Sequence, residues 1–364
     1  MSSSKKSILF ILPSPNGGGA ERVVLNILQH LSREKFIPSL LLLSREGPLA
    51  DEIPDDVKVI DLKTKHARYA IFKIIKAIHT LSPDIVFSAF GYLNLIISCF
   101  IPLFKKEIHF IARESNTVSI KNPQEKFPRL FNWLYRRFYK NFELIIAQSE
   151  YMKNDLVVNY EIAKQKIHVI YNPVNVAKIR AYSQETPTSY PIKNRVNLLC
   201  VGRLNYQKGL DRLLHAMAQL DSTFHLSILG DGSLLQELKQ LSHDLNITDR
   251  VSFLGYQSNP YSYMSQADLL ILPSRFEGLP NVVLEANSCG LPVVAFNSPG
   301  GTAEIINDKI NGFLVQDGDI ELLATTIHLA SKFPFEKQLI KNTIITSYNI
   351  DKVIKEYEDI FQTI

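Results

Sequence analysis

Short apolar runs alternate along the chain with longer stretches whose apolar residues recur every three or four positions. ILFIL (8–12) is followed by AERVVLNILQHL (20–31), SLLLLS (39–44), VKVIDL (57–62), YAIFKIIKAIHTL (69–81) and DIVFSAF (84–90). The short runs predict strands and the periodic stretches predict helices, so the alternation reads as a parallel sheet covered by helices. IHFIA (108–112), LIIAQS (144–149) and IHVIYNP (167–173) continue the series. VNVAKIRAYSQETPTSYPIKNR (174–195) then loses apolar periodicity and gathers Ser, Thr and Pro, which marks a linker. A second series follows in VNLLCVGRL (196–204), FHLSILGDG (224–232), RVSFLGY (250–256), DLLILPS (268–274) and LPVVAF (291–296). The near-continuous apolar strands suit sheets buried on both faces. The expected boundaries are a first domain over 1–174, a linker over 175–195, a second domain over 196–345, and a C-terminal helix over 346–364 that packs back on the first domain. The fold class is α/β, with two Rossmann-like domains whose parallel sheets face each other across a cleft. In such sheets ligands bind beyond the carboxyl ends of the strands.

A chain of 364 residues, 46% hydrophobic and 21% charged, is long enough for two such cores and too apolar for disorder. Forty Lys and Arg against 36 Asp and Glu are no nucleic-acid footprint. Cys99, Cys200 and Cys289 lie scattered among apolar neighbours and suggest neither a disulfide framework nor a metal site, so a reducing, cytoplasmic setting is expected. The apolar run after Lys5 and Lys6 meets Pro13, Pro15 and three glycines too soon for a signal core, and LNLIISCFIPLF (93–104) is too short to span a bilayer.

Chemistry concentrates at the ends of strands. Arg203 falls just past LLCVG, and Lys208 and Gly209 open the helical stretch GLDRLLHAMAQL. Two cations at a strand's carboxyl edge beside a helix N-terminus favour a diphosphate; two solvated surface cations are the alternative. GDGS (230–233) ends the next strand with glycines that let backbone approach a ligand, or make a common turn. In RFEGLPNVVLEANSCG (275–290), Glu277 lies in the loop after DLLILPS, while Pro280 suits the first turn of a helix ended by Gly290. Glu285 shares a helix face with Asn281. Sugar or ribose hydroxyls would satisfy these carboxylates, or each could cap backbone or pair with a cation. Asp317 and Asp319 in QDGDI have the spacing of a metal chelate, but a turn and a helix cap account for them better. NGGGAER (16–22) lacks the glycine spacing of a dinucleotide fold, which counts against an oxidoreductase.

Together, NGGGAERVV, VGRLNYQKGLDRLL, ILGDGSLLQEL, VSFLGY and EGLPNVVLEANSCGLPVVA resemble the retaining glycosyltransferases of family 4, which have the GT-B fold. The motifs stand in the family's order over nearly the whole chain. The resemblance implies that Arg203 and Lys208 hold the donor diphosphate, that Glu277 contacts the donor sugar and that Glu285 binds the ribose. It implies that Leu279, Pro280, Asn281 and Val282 meet the distal phosphate, that Gly230 lies against the nucleotide, and that Leu254, Gly255 and Tyr256 border the base. Gly18 and Gly19 would face the acceptor and the transferred sugar. Where the family often has a histidine after the strand IHFIA, this chain has RESN, leaving Arg113, Glu114 and Asn116 as candidates for sugar or acceptor, with His109 a strand residue whose nitrogens are satisfied. SYNIDKV near the C-terminus departs from the family's aromatic pattern.

The implied function is transfer of a sugar from a nucleoside-diphosphate-sugar, UDP-linked, to a lipid-linked or growing glycan acceptor in cell-surface polysaccharide assembly. No metal or other cofactor is expected, because the two cations and a helix dipole can stabilise the departing diphosphate. The rival readings are a nucleotide-sugar epimerase on the same scheme and a catalytically silent binding partner. KTKHARYAIFKIIKAIH (63–79) and KNPQEKFPRLFNWLYRRFYKNF (121–142) interleave cations with aromatics. In the second, Lys126, Arg129, Arg136, Arg137 and Lys140 alternate with Phe131, Trp133, Leu134, Tyr135 and Phe138, a pattern for peripheral contact with the inner face of an anionic membrane or for an ordinary solvated face over a core.

Overall fold

The computed structural model describes residues 5–64, 67–187 and 190–364. Lys65 and His66 of the first basic segment, and Thr188 and Ser189 of the expected linker, lie outside them. The chain divides into two compact units, Met1–Pro173 with Ile350–Ile364, and Val174–Asn349.

The first unit is built on seven parallel strands: β1 (Lys6–Leu12), β2 (Phe36–Leu42), β3 (Lys58–Asp61), β4 (Ile85–Ser88), β5 (His109–Arg113), β6 (Leu144–Ala147) and β7 (Ile167–Val169), in the order β3-β2-β1-β4-β5-β6-β7. Strand β1 is paired on both sides, Ile8 lying level with Pro38 on β2 and with Ile85 on β4. Its side chains alternate between two cores. Ile8, Phe10 and Leu12 join Val23, Ile27 and Leu28 of the helix Gly19–His30 on one face, while Leu9 and Ile11 join Ile74 and Ile78 of the helix Ala67–Leu81 on the other. This is why the strand reads as a continuous apolar run.

The final helix, Ile350–Thr363, belongs to this unit. Its apolar stripe of Ile350, Val353, Ile354, Tyr357 and Phe361 enters the first of these cores. The Phe361 ring packs edge-on to Phe36 at 6.0 Å and to Phe87 at 5.7 Å, geometry that the ring quadrupole favours.

The second unit has six parallel strands: β8 (Val196–Val201), β9 (Phe224–Leu229), β10 (Val251–Gly255), β11 (Leu269–Leu272), β12 (Val293–Phe296) and β13 (Gly312–Val315), in the order β10-β9-β8-β11-β12-β13. Strand β13 is the one the hydropathy pattern does not announce, since its four residues sit between NDKIN and QDGD, both turn-rich. The segment read as a linker, 175–195, falls inside this unit. It carries the helix Val176–Tyr182, which Asn175 caps by accepting from the Lys178 N–H. Asn259 donates to the Tyr182 carbonyl at 2.9 Å and Ser265 to the Ser183 carbonyl at 3.0 Å, so polar contacts that hydropathy does not register fix this segment. Tyr190, buried, packs its ring at a tilt against Tyr263, 5.1 Å between centroids.

In each sheet the strand order reverses once, between β1 and β4 and between β8 and β11. Connections leaving adjacent strands there diverge to opposite faces, which opens a crevice at the carboxyl edge.

Candidate active site

The loops after β8 and β11 meet at the second unit's reversal. Arg203 is exposed, and its side chain makes no hydrogen bond or ion pair among the described residues. Lys208 ends a short turn that Asn205 caps by accepting from the Lys208 N–H, and Gly209 follows in the left-handed conformation at φ 62°. A Cβ on Gly209 would stand 2.3 Å from the Pro273 carbonyl oxygen, so only glycine lets this turn lie against the end of β11. The Lys208 ammonium then reaches the Glu277 carboxylate, Nζ to Oε1 2.6 Å, and Ser274 Oγ donates to the same oxygen at 2.6 Å. Glu277 is 5% exposed. A cation and a hydroxyl supply the partners that a buried carboxylate needs. Of the two sequence alternatives for Glu277, then, the cation pair is present, and its partner is the lysine assigned to the diphosphate.

Glu285 differs. It is half-buried on one face of the helix Asn281–Cys289, in line with Asn281 and Cys289, and accepts a long hydrogen bond from Tyr261 at 3.4 Å. Pro280 occupies the N-cap position, one residue before the first turn, and supplies no side-chain cap to that helix. Leu279, Pro280 and Val282 are buried and Asn281 half-buried, so backbone dominates what this end of the helix presents.

Gly230 has a structural reason to be glycine. At φ 132°, a Cβ there would lie 2.0 Å from the Gly202 carbonyl oxygen. The loop after β9 thus packs backbone to backbone on the loop after β8, with Leu204 N–H donating to Asp231 O at 2.9 Å and Gly230 N–H to Gly255 O at 2.8 Å. The close approach expected of Gly230 is to its own chain. Leu254 and Gly255 are half-buried and Tyr256 exposed, the Tyr256 N–H donating to Asp231 Oδ2 at 2.9 Å.

In the first unit Gly18 is the N-cap and Gly19 the first residue of the helix after β1, with Glu21 buried in its first turn. Burial and the Glu21 charge push the hydroxyl of Tyr92, in the first turn of the helix Gly91–Phe100 after β4, up to about 12.

Arg113 corrects the sequence reading. β5 extends one residue further than IHFIA, which turns Arg113 into the core beneath the last helix, where it is fully buried. Its Nε donates to the Tyr357 hydroxyl at 3.1 Å and one terminal nitrogen to Asn172 Oδ1 at 2.5 Å, while Nη1 has no partner among the described residues. Glu114, next along, turns to the opposite face and is 2% exposed. It accepts from the hydroxyls of Tyr139 and Tyr135 and from Asn94 Nδ2, and burial pushes its carboxyl above the usual carboxylate range. Asn116, half-buried, lines a small pocket together with Gly91, Tyr92, Glu114, Ser115 and Lys121. Of the three candidates, only Asn116 and Glu114 face it. Asn94 and Tyr139 had no signal in the sequence, being core positions of apolar-looking stretches.

Asp319 caps the helix Ile320–Lys332 by accepting from Leu322 N–H, and Asp317 pairs with Arg212 at 2.7 Å. His109 pairs with Glu143 at 2.6 Å. Among the described residues no helix is long and apolar enough to cross a membrane. On the helix Pro128–Phe138, Arg129, Leu130, Trp133, Arg136 and Arg137 are exposed, and Phe127 just before it is too.

Residues 17–178 match the family described as Glycosyltransferase Family 4, and residues 183–345 match Glycosyl transferases group 1. The chain is 30% identical over 314 residues to the N-acetylgalactosamine-N,N'-diacetylbacillosaminyl-diphospho-undecaprenol 4-alpha-N-acetylgalactosaminyltransferase of Campylobacter jejuni, covering 83% of this chain and 84% of that protein. It is 26% identical to the UDP-Gal:alpha-D-GlcNAc-diphosphoundecaprenol alpha-1,3-galactosyltransferase of Escherichia coli, with 98% and 97% covered. In fold it is similar to HepE of Anabaena, solved in complex with UDP-glucose, at a TM-score of 0.81 and 20% identity over 99% of this chain and 100% of that one. With two parallel-sheet Rossmann-like units and these relatives, the chain belongs to glycosyltransferase family 4 and is a glycosyltransferase of the GT-B fold.

Proposed function

We propose that this enzyme moves a sugar, with retention of anomeric configuration, from a UDP-sugar to a lipid-linked or growing glycan acceptor in cell-surface polysaccharide assembly. The observation that carries the reading is the Lys208–Glu277 pair at the reversal of the second sheet, in the same loop as the exposed Arg203. A lysine anchored by a carboxylate is held in place for a second anion, and the exposed guanidinium provides the other arm of a diphosphate clamp. The N-terminus of the helix Asn281–Cys289, from Leu279 to Val282, adds its dipole toward the distal phosphate. As the glycosidic bond breaks, negative charge builds on the diphosphate, and Arg203, Lys208 and the dipole stabilise it without a metal ion. The phosphate oxygen that departs is itself a base strong enough to take the acceptor's proton on the face it leaves. Glu277 orients Lys208 and lies toward the donor sugar, Glu285 receives the ribose, and Leu254, Gly255 and Tyr256 border the base.

UDP is supported by the donor in the Escherichia coli relative's name and by the ligand bound to HepE; the lipid-linked acceptor is supported by the undecaprenol-linked substrates that both named relatives carry in theirs. Gly18, Gly19, Asn116 and Glu114 form the acceptor side in the first unit. The cations and apolar side chains exposed together from Lys126 to Lys140 suit docking on an anionic cytoplasmic membrane face.

The test is a panel of nucleotide sugars given to the enzyme with a polyprenyl-diphosphate saccharide. Released UDP with label in the lipid fraction is the expected result. Interconversion of the sugar with its diphosphate linkage intact would make the enzyme an epimerase, and binding without turnover would make it a silent homologue.

A further inference from the structure

Arg275 lies two residues before Glu277 and is bonded to residues on both sides of Lys208. Its guanidinium forms a two-toothed pair with Asp211, at 2.8 and 2.5 Å, in the first turn of the helix Leu210–Gln219. It also donates to the Tyr206 carbonyl at 3.0 Å and lies over the Tyr206 ring, 4.3 Å from the centroid. Its backbone N–H donates to Gln207 O at 2.8 Å, and Gln207 Nε2 returns a bond to Phe276 O at 3.1 Å. Every one of these partners brackets Lys208: Tyr206 and Gln207 precede it, Asp211 follows it.

From this geometry we infer that Arg275, with Asp211, is a positioning clamp for the catalytic lysine. The two loops follow different strands, with Lys208 and Glu277 69 residues apart, and the Arg275 N–H bond to Gln207 O is joined by these side-chain contacts in fixing one loop against the other. Lys208 has a long flexible stem, so the place of its ammonium depends on where its backbone is held and on the Glu277 carboxylate it meets. Arg275 sets both, because its own backbone leads into Glu277 and its guanidinium grips the residues on either side of Lys208. One planar fork reaches the carboxylate, a carbonyl and a ring together, which an ammonium cannot do. Asp211 is held below the usual carboxylate range by the Arg275 hydrogen bonds, as a charged partner should be.

The inference rests on the placement of Lys208 at the leaving diphosphate. Its test compares Arg275→Lys, Asp211→Asn, the double variant and Lys208→Ala by thermal unfolding, by calorimetry with UDP and by steady-state rates. Displacing a reacting group by a fraction of an ångström to one ångström costs about ten- to a hundredfold in rate. Arg275→Lys and Asp211→Asn should each lose about that in kcat, with donor KM within about threefold of the parent. The double variant should be no slower than the slower single one, since the two residues act as a unit. Guanidinium added to Arg275→Ala should restore part of the rate, a rescue that a merely structural residue would not show. Parent-like kcat per folded molecule in both single variants, with Lys208→Ala crippled, would overturn the clamp and leave the diphosphate reading standing. Parent-like turnover in Lys208→Ala would overturn the diphosphate reading, and the clamp with it.

Discussion

Replacing Arg113 by methionine separates a structural role from a substrate role at the residue where sequence and structure differ most. Methionine keeps much of the side chain's length and apolar stem while deleting the guanidinium. The change removes the bonds to the Tyr357 hydroxyl and to Asn172 Oδ1. A hydrogen bond from a charged group is worth about 1.5–3 kcal/mol, so the two together amount to about 3–6 kcal/mol. Against that, the substitution releases a buried charge whose Nη1 has no partner among the described residues, and part of its desolvation cost is recovered. A net loss of about 2–4 kcal/mol is expected, or about 1–2 M in urea midpoint at a slope of about 2 kcal/mol per molar. Trp133, the chain's single tryptophan, lies in the same unit and reports its unfolding by fluorescence. Acceptor and donor KM, measured well below the unfolding range, should stay near the parent values. An unchanged midpoint together with a raised acceptor KM would refute the reasoning and return Arg113 to the substrate.

Glu114 gives a prediction in pH. Its folded carboxyl is held above the usual range by burial, so the folded state favours the proton and loses stability as pH rises from the ordinary glutamate value toward the raised one. Glu114→Gln lacks that titration, and its melting temperature relative to the parent should therefore rise as pH is raised above the ordinary glutamate value; a difference that stays constant with pH would count against the perturbed carboxyl. Gly230→Ala forces a Cβ to within 2.0 Å of the Gly202 carbonyl and should cost about 1–3 kcal/mol from the backbone conformation alone, weakening UDP binding through the loop that carries Arg203. Parent-like stability and affinity in that variant would count against the backbone contact. Phe361→Ala should destabilise the first unit by about 3–5 kcal/mol, read by the same tryptophan, because it empties a ring packed against Phe10, Phe36 and Phe87.

Much of the fold was legible because the sheets are buried on both faces, which leaves runs such as ILFIL and LLIL nearly free of polar residues. The helix Val176–Tyr182 and β13 were not, since one is short and tied down by side-chain to backbone bonds and the other is four residues between turns. The places of Arg203, Lys208, Glu277 and Glu285 in the fold were legible because each stands shortly after a strand or within a helix that ends at Gly290. Their partners were not. The Lys208–Glu277, Ser274–Glu277 and Arg275–Asp211 contacts join loops whose proximity depends on sheet order, and sheet order leaves no local mark in the sequence. At Arg113 the direction of a side chain hangs on the length of a strand: one more residue of β5 reverses the face it points to.

The most direct test of the account is a single proton NMR time course of the enzyme with a UDP-sugar and a polyprenyl-diphosphate saccharide, run for the parent and for Lys208→Ala. The account predicts that free UDP and a new glycosidic anomeric signal of the donor's own configuration grow together in the parent. In Lys208→Ala both should be slowed about a hundred- to a thousandfold, equivalent to about 2.7–4 kcal/mol of lost stabilisation at the leaving diphosphate. A product of inverted configuration, or equal rates in the two proteins, would contradict it.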